Sequence, residues 1–125
     1  MTKWFYLIAG GIAGTCLRYQ ISSWIYQLAG DHFPYGTLLV NLTGCFIIGF
    51  LVTLGEGKAF FTHDMKLLLI TGFCGAYTTF SSLILETSSL FKTAHPVAAF
   101  TNIGASLALG FFVFEIGFWC GHLFS

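Results

Sequence analysis

Gly72-Phe73-Cys74-Gly75-Ala76-Tyr77-Thr78-Thr79-Phe80-Ser81-Ser82 sits in the middle of an apolar run extending roughly from Met65 to Leu90. A helix rises ~1.5 Å per residue, so ~20 apolar residues cover a hydrocarbon core ~30 Å thick. The run is therefore long enough to cross a bilayer, yet its centre is poorly suited to a continuous helix. Glycine adds backbone freedom, and the paired threonines and serines offer hydroxyls that compete for backbone hydrogen bonds. If the helix opens there, carbonyls and amides lose their partners in a medium without water. That is tolerable only where protein, a bound ion or a wet cavity satisfies them, and broken membrane helices often form ion sites for this reason. Composition alone leaves a second reading standing, an intact helix that is merely rich in Ser and Thr.

Three similar runs flank this one: about Trp4 to Leu28, approximately Tyr35 to Gly55, and Pro96 to near Gly121. Asp31, His32 and Pro34 make the first turn, the polar stretch Glu56 to Asp64 the second, and Lys92 to His95 the third. The apolar stretch after Lys3 outlasts the ~7–15-residue core of a signal peptide, so it reads as a retained first helix. With no linker, low-complexity stretch or convincing repeat, residues 1–125 read as a single domain. The expected fold class is an all-α membrane protein with four transmembrane helices, the third broken mid-membrane.

The balance of the chain agrees. Of 125 residues 56% are hydrophobic and 8% charged, against roughly 25% charged in soluble domains. Formal net charge is +0, which gives no reason to expect nucleic acid as a partner. Cys16, Cys45, Cys74 and Cys120 each lie inside an apolar run, with no C-x-x-C pair and no spacing that suits zinc. Small residues four apart (Gly10 and Gly14, Gly104 and Ala108, Gly117 and Gly121) mark expected packing faces, because helices lacking side-chain bulk approach closely in lipid. Lys3, Lys58 and Lys66 fall on one side of the membrane, and Lys92 with Arg18 on the other. So small a difference hardly sets a topology, and an antiparallel homodimer is a natural product of a chain that inserts both ways.

Three motifs in order carry a specific resemblance. The segment from Gly72 through Phe80 to Glu86 resembles the third-helix signature of the Fluc fluoride channels, also called the CrcB family. Pro34-Tyr-Gly-Thr-Leu-Leu-Val-Asn41-Leu resembles the start of that family's second helix, and Gly14-Thr-Cys-Leu-Arg18 its arginine-bearing first helix. The resemblance runs essentially from end to end. It implies an antiparallel, dual-topology dimer in the cell (inner) membrane that exports fluoride passively through two narrow pores. It also implies a structural sodium ion between the subunits, held by the backbone carbonyls of Gly75 and Thr78. Pore residues implied by motif position are Asn41, Phe80 with the neighbouring Ser81 and Ser82, and Ser106 and Asn102 on the fourth helix. Arg18 and Glu86 take vestibule or structural places. One departure stands out: where the family carries a second phenylalanine in its pore constriction, this chain has Leu83. That admits a heterodimer whose partner supplies the missing ring.

The residues themselves fit such a path. Fluoride is small and strongly hydrated, so a pore must offer close donors, which amides and hydroxyls supply. Asn41 is such a donor, or else a packing amide bonded to a neighbouring helix. Asn102 and Ser106, four apart, share a helix face, and this stripe either lines an aqueous route or joins two helices. An aromatic ring edge is electropositive, so Phe80 attracts an anion weakly without holding it. Arg18 lies ~21 Å along the helix from Trp4 and either draws anions to a mouth or snorkels. Glu86 repels fluoride when ionised, so its role is structural, protonated or indirect. Glu115, off the polar stripe, is expected near an interface.

Two other functions compete. A small multidrug-type, dual-topology transporter is a four-helix alternative, but that class resembles itself in carrying an acid in the first helix, where this chain has Arg18. A non-conducting or partner subunit of a heterodimeric channel is the other. An enzyme is not expected, since no nucleophile, base and orienting group can be assembled.

Overall fold

The computed structural model describes residues 1–125, and every regular element in it is helical. Helix α1 (Thr2–Ala29) ends at Gly30, whose φ of 81° only glycine adopts readily. Helix α2 (Tyr35–Leu54) starts after Pro34, and α6 (Pro96–Phe124) starts on its own proline. Proline suits both places because a first-turn N–H has no helical partner to lose. Between them the third rod is composite: α3 (His63–Lys66), a π-helical segment Leu67–Cys74, a single turn α4 (Gly75–Tyr77), then α5 (Phe80–Lys92). Span ends agree with the sequence reading to within a few residues.

The opened third helix is realised. Thr78 (φ −86°, ψ 156°) and Thr79 (φ −149°, ψ 115°) are extended, separating α4 from α5. Thr79 then restarts the helix, its hydroxyl accepting from the Ser82 N–H at 3.2 Å, the arrangement of an N-cap threonine. Sequence reading did not foresee the π-helical segment upstream. π-turns concentrate at functional sites, and this one leads directly into the break.

Packing is thin. Only 22 of the 125 residues are buried, while Trp4, Phe80, Phe111, Phe112, Trp119 and Leu123 are among many large apolar side chains left exposed. In water such a surface would aggregate; facing lipid it has no cost. Three helical rods, Tyr35–Leu54, His63–Lys92 and Pro96–Phe124, are each long and apolar enough to cross a membrane. The rod α1 has the length, at 28 residues, but is less apolar. The most extensive interface joins α2 to α6, and α1 lies along the π segment and α4.

Small residues make these interfaces, with one exception. Gly10 and Gly14 are buried against the third rod, and Gly117 and Gly121 against α2. Gly104 meets nothing within 4 Å, and Ala108 is exposed beside it. That pair faces out of the protomer.

Candidate functional site

The helix break needs partners for its backbone, and α2 supplies them. Asn41 Nδ2 donates to the Thr79 carbonyl at 3.0 Å, and the Thr79 N–H donates to Asn41 Oδ1 at 2.7 Å. One carboxamide thus satisfies both backbone groups of a residue that no helix can serve. Asn41 is thus bonded to a neighbouring helix. Its carboxamide nevertheless borders a cavity, and its second N–H is not used in the clamp. A neighbouring bond, Thr43 Oγ1 to Tyr77 OH at 2.8 Å, ties the turn before the break to the same helix.

Asn41, Phe80, Leu83 and Ser106 line one cavity of about 250 Å³, together with Thr78, Thr79 and Cys45. Four of the residues expected along a pore therefore come together at the break. Ser106 Oγ is buried there with no hydrogen-bond partner, an unusual state for a hydroxyl and a ready donor for whatever occupies the cavity. Phe80 is 71% exposed and Leu83 only 6%, so the phenylalanine projects out of the protomer while the leucine is enclosed by it.

The other expected residues separate. Asn102 is buried and its Nδ2 donates to Thr87 Oγ1 at 2.9 Å. It joins α6 to α5 and lines none of the cavities, although Ser106 one turn on opens into one. Ser81 is exposed and approaches only the Thr79 hydroxyl, at 3.3 Å. Ser82 lines a second, more polar cavity of about 290 Å³ with Arg18, Glu86, Thr79 and Thr37. Glu115 is half-buried on α6 and lines neither cavity.

Glu86 is held firmly on one side. Its Oε1 accepts from the Thr37 hydroxyl at 2.7 Å and from the Tyr26 hydroxyl at 3.1 Å, whereas Oε2 is buried without a partner. Sequence reasoning missed Tyr26 and Thr37. A signal existed on α1: Thr15, Arg18, Ser22 and Tyr26 recur at three- and four-residue steps, which puts them on one face of the helix, and all four line this second cavity.

The break also leaves two carbonyls without their ordinary donors. In a continuous helix the Thr79 N–H would bond to the Gly75 carbonyl and the Ser82 N–H to the Thr78 carbonyl. Here those amides bond to Asn41 and to the Thr79 hydroxyl instead. Gly75 is exposed, so its backbone lies on the outer face of the protomer. Oxygen donors freed in this way suit a hard cation.

The sequence of this chain is similar to those of known proteins along most of its length. Residues 5–118 match the family model described as CrcB-like protein, Camphor Resistance (CrcB). A fluoride-specific ion channel FluC of Dehalococcoides mccartyi is 43% identical over 117 residues, covering 94% of this chain and 90% of the relative. One from Aeromonas salmonicida is 44% identical over 109 residues, covering 87% of each chain. Another, from Desulforapulum autotrophicum, is 36% identical over 121 residues, 97% of each. With the family model matched over residues 5–118 and relatives 36–44% identical over most of both lengths, this chain belongs to the CrcB family.

Proposed function

We propose that this protein is a fluoride-selective ion channel, not an enzyme, that lets cytoplasmic fluoride leave passively and so lowers its concentration and toxicity. The observation that carries the reading is the cavity at the helix break, where Asn41, Phe80, Leu83 and Ser106 meet. A dehydrating fluoride needs donors at close quarters; the free Asn41 N–H and the unpartnered Ser106 hydroxyl are such donors, and a ring edge adds weak attraction. Relatives over nearly the full length are named for this ion.

The working unit in this reading is a dual-topology, antiparallel homodimer in the cell inner membrane, each chain crossing four times. Helix α1, at 28 residues, spans ~42 Å at ~1.5 Å per residue and is long enough to be the fourth crossing. The outward Phe80 and exposed Gly75 support a second copy on that face. Two chains back to back would bring four carbonyls, from each Gly75 and Thr78, around one axis, and we assign that place to a structural sodium ion.

Purified protein in liposomes loaded with fluoride should discharge them, read by a fluoride electrode, with no proton gradient applied. Discharge that demands a counter-gradient would turn the reading toward an exchanging transporter. Discharge only when a homologous second subunit is added would make this chain one half of a heterodimer. Leu83→Phe tests the missing aromatic directly. Leu83 borders the cavity, so a ring can grow toward open space, and efflux should rise by about threefold or more through the added ring edge. An unchanged rate would show that a second ring is not what limits this pore.

A further inference from the structure

A third cavity, of about 540 Å³, opens at the end of the protomer where α1 turns into α2, lined by Asp31, His32, Ser89, Thr93 and His95. The residues it shares with the 290 Å³ polar cavity are Tyr26 and Glu86, and no others. That polar cavity in turn meets the cavity of Asn41 and Phe80 at Thr79. Three spaces therefore stand in file from one end of the chain to the helix break, the first two lined mainly by polar side chains and the last mainly by apolar ones, and the first wall between them is the Tyr26–Glu86 pair.

The wall is built to stay put. A methyl group on Gly36 would lie 2.5 Å from the Tyr26 Cε2, so the ring rests directly on the α2 backbone. The Tyr26 hydroxyl donates to Glu86 Oε1 at 3.1 Å and accepts from the Thr37 N–H at 3.4 Å. With its only proton given to Glu86, Tyr26 presents bulk and ring edge to the spaces on either side, not a donor. Glu86 is anchored through the same oxygen by Thr37.

We propose that Tyr26 is a positioning residue for conduction, a fixed partition whose size sets how freely an ion passes from the end cavity to the inner one. The inference rests on the channel reading above. It makes α1, through a residue well outside the break and Phe80, part of what limits the rate.

The experiment is a size series at residue 26 in reconstituted dimers, with fluoride efflux as the readout. Tyr26→Ala should join the two cavities and raise the rate about threefold or more, while Tyr26→Trp should lower it about tenfold, since passage depends on pore diameter. Tyr26→Phe keeps the ring but loses the bond to Glu86, so its rate should fall between those of the native protein and Tyr26→Ala. A residue that merely supports the fold would give losses in Ala and Trp alike, and that pattern overturns the proposal. So does an unchanged rate in both variants when the dimers elute as the native protein does. If Tyr26→Ala does not fold, Tyr26→Leu, which keeps apolar cover on Gly36 and shortens the side chain, is read in its place. Native protein that fails to pass fluoride would refute the channel reading itself, before the series begins.

Discussion

Asn41→Leu should reduce fluoride efflux at least about a hundredfold and destabilise the protein in detergent as well, because the clamp loses both its bonds. The Asn41 carboxamide holds the Thr79 carbonyl at 3.0 Å and the Thr79 N–H at 2.7 Å. Leucine fills the same volume and satisfies neither group. Each buried backbone group left unpaired costs about 1–3 kcal/mol, and there is no water in a bilayer core to take over. The break should then either re-form as helix, closing the cavity it creates, or fail to assemble. Asn41→Asp separates the two roles of the side chain. It keeps the acceptor for the Thr79 N–H but loses the donor and adds a negative charge beside the anion cavity. Efflux should vanish in that variant too, whereas the thermal aggregation midpoint should fall less than for leucine. Native efflux and native stability in Asn41→Leu would show that the break holds itself open unaided.

Gly14→Val should abolish the folded protein. A Cβ at Gly14 would lie 2.3 Å from the Phe73 carbonyl oxygen and 3.0 Å from the Tyr77 nitrogen. Both are backbone atoms of the π segment and α4, the elements that lead into the break. Overpacking of side chains costs about 1–3 kcal/mol; here no side chain can rotate away, so α1 must separate from the third rod. Size-exclusion chromatography should show aggregate or no protein, and any soluble fraction should not pass fluoride. Gly11→Ala is the matched control, since nothing lies within 4 Å of a Cβ at Gly11. It should behave as the native chain, and equal damage in both would mean that α1 simply cannot lose glycine.

How much of this was legible beforehand follows from the range of each interaction. The span limits came from local chemistry: Pro34 and Pro96 at helix starts, and polar turns between apolar runs, are read without knowing any neighbour. The weakness around Gly75 to Ser82 was legible for the same reason, as hydroxyls and glycine act on their own backbone. The register of the break was not. That Thr78 and Thr79 are the extended pair depends on Asn41, 38 residues away, meeting Thr79 and no other residue. The π-helical winding of Leu67–Cys74 likewise left no mark in an ordinary apolar run.

Asn102 and Ser106 show the boundary most clearly. Sharing a helix face predicted a shared role, yet one is bonded to Thr87 across the α5–α6 interface and the other opens into the cavity. A face is a property of one helix, while the neighbour encountered at each level along it is a property of the bundle. By itself, then, the order of residues determined a lipid-facing set of helices with a fragile third member. Only the assembled bundle decided which atoms that fragile stretch would meet: an amide that closes the break, a tyrosine that walls off the space behind it, and two carbonyls left without their helical donors. Local propensity acts within a turn or two of helix; partners for an opened backbone must come from other helices, and their placement is settled by packing.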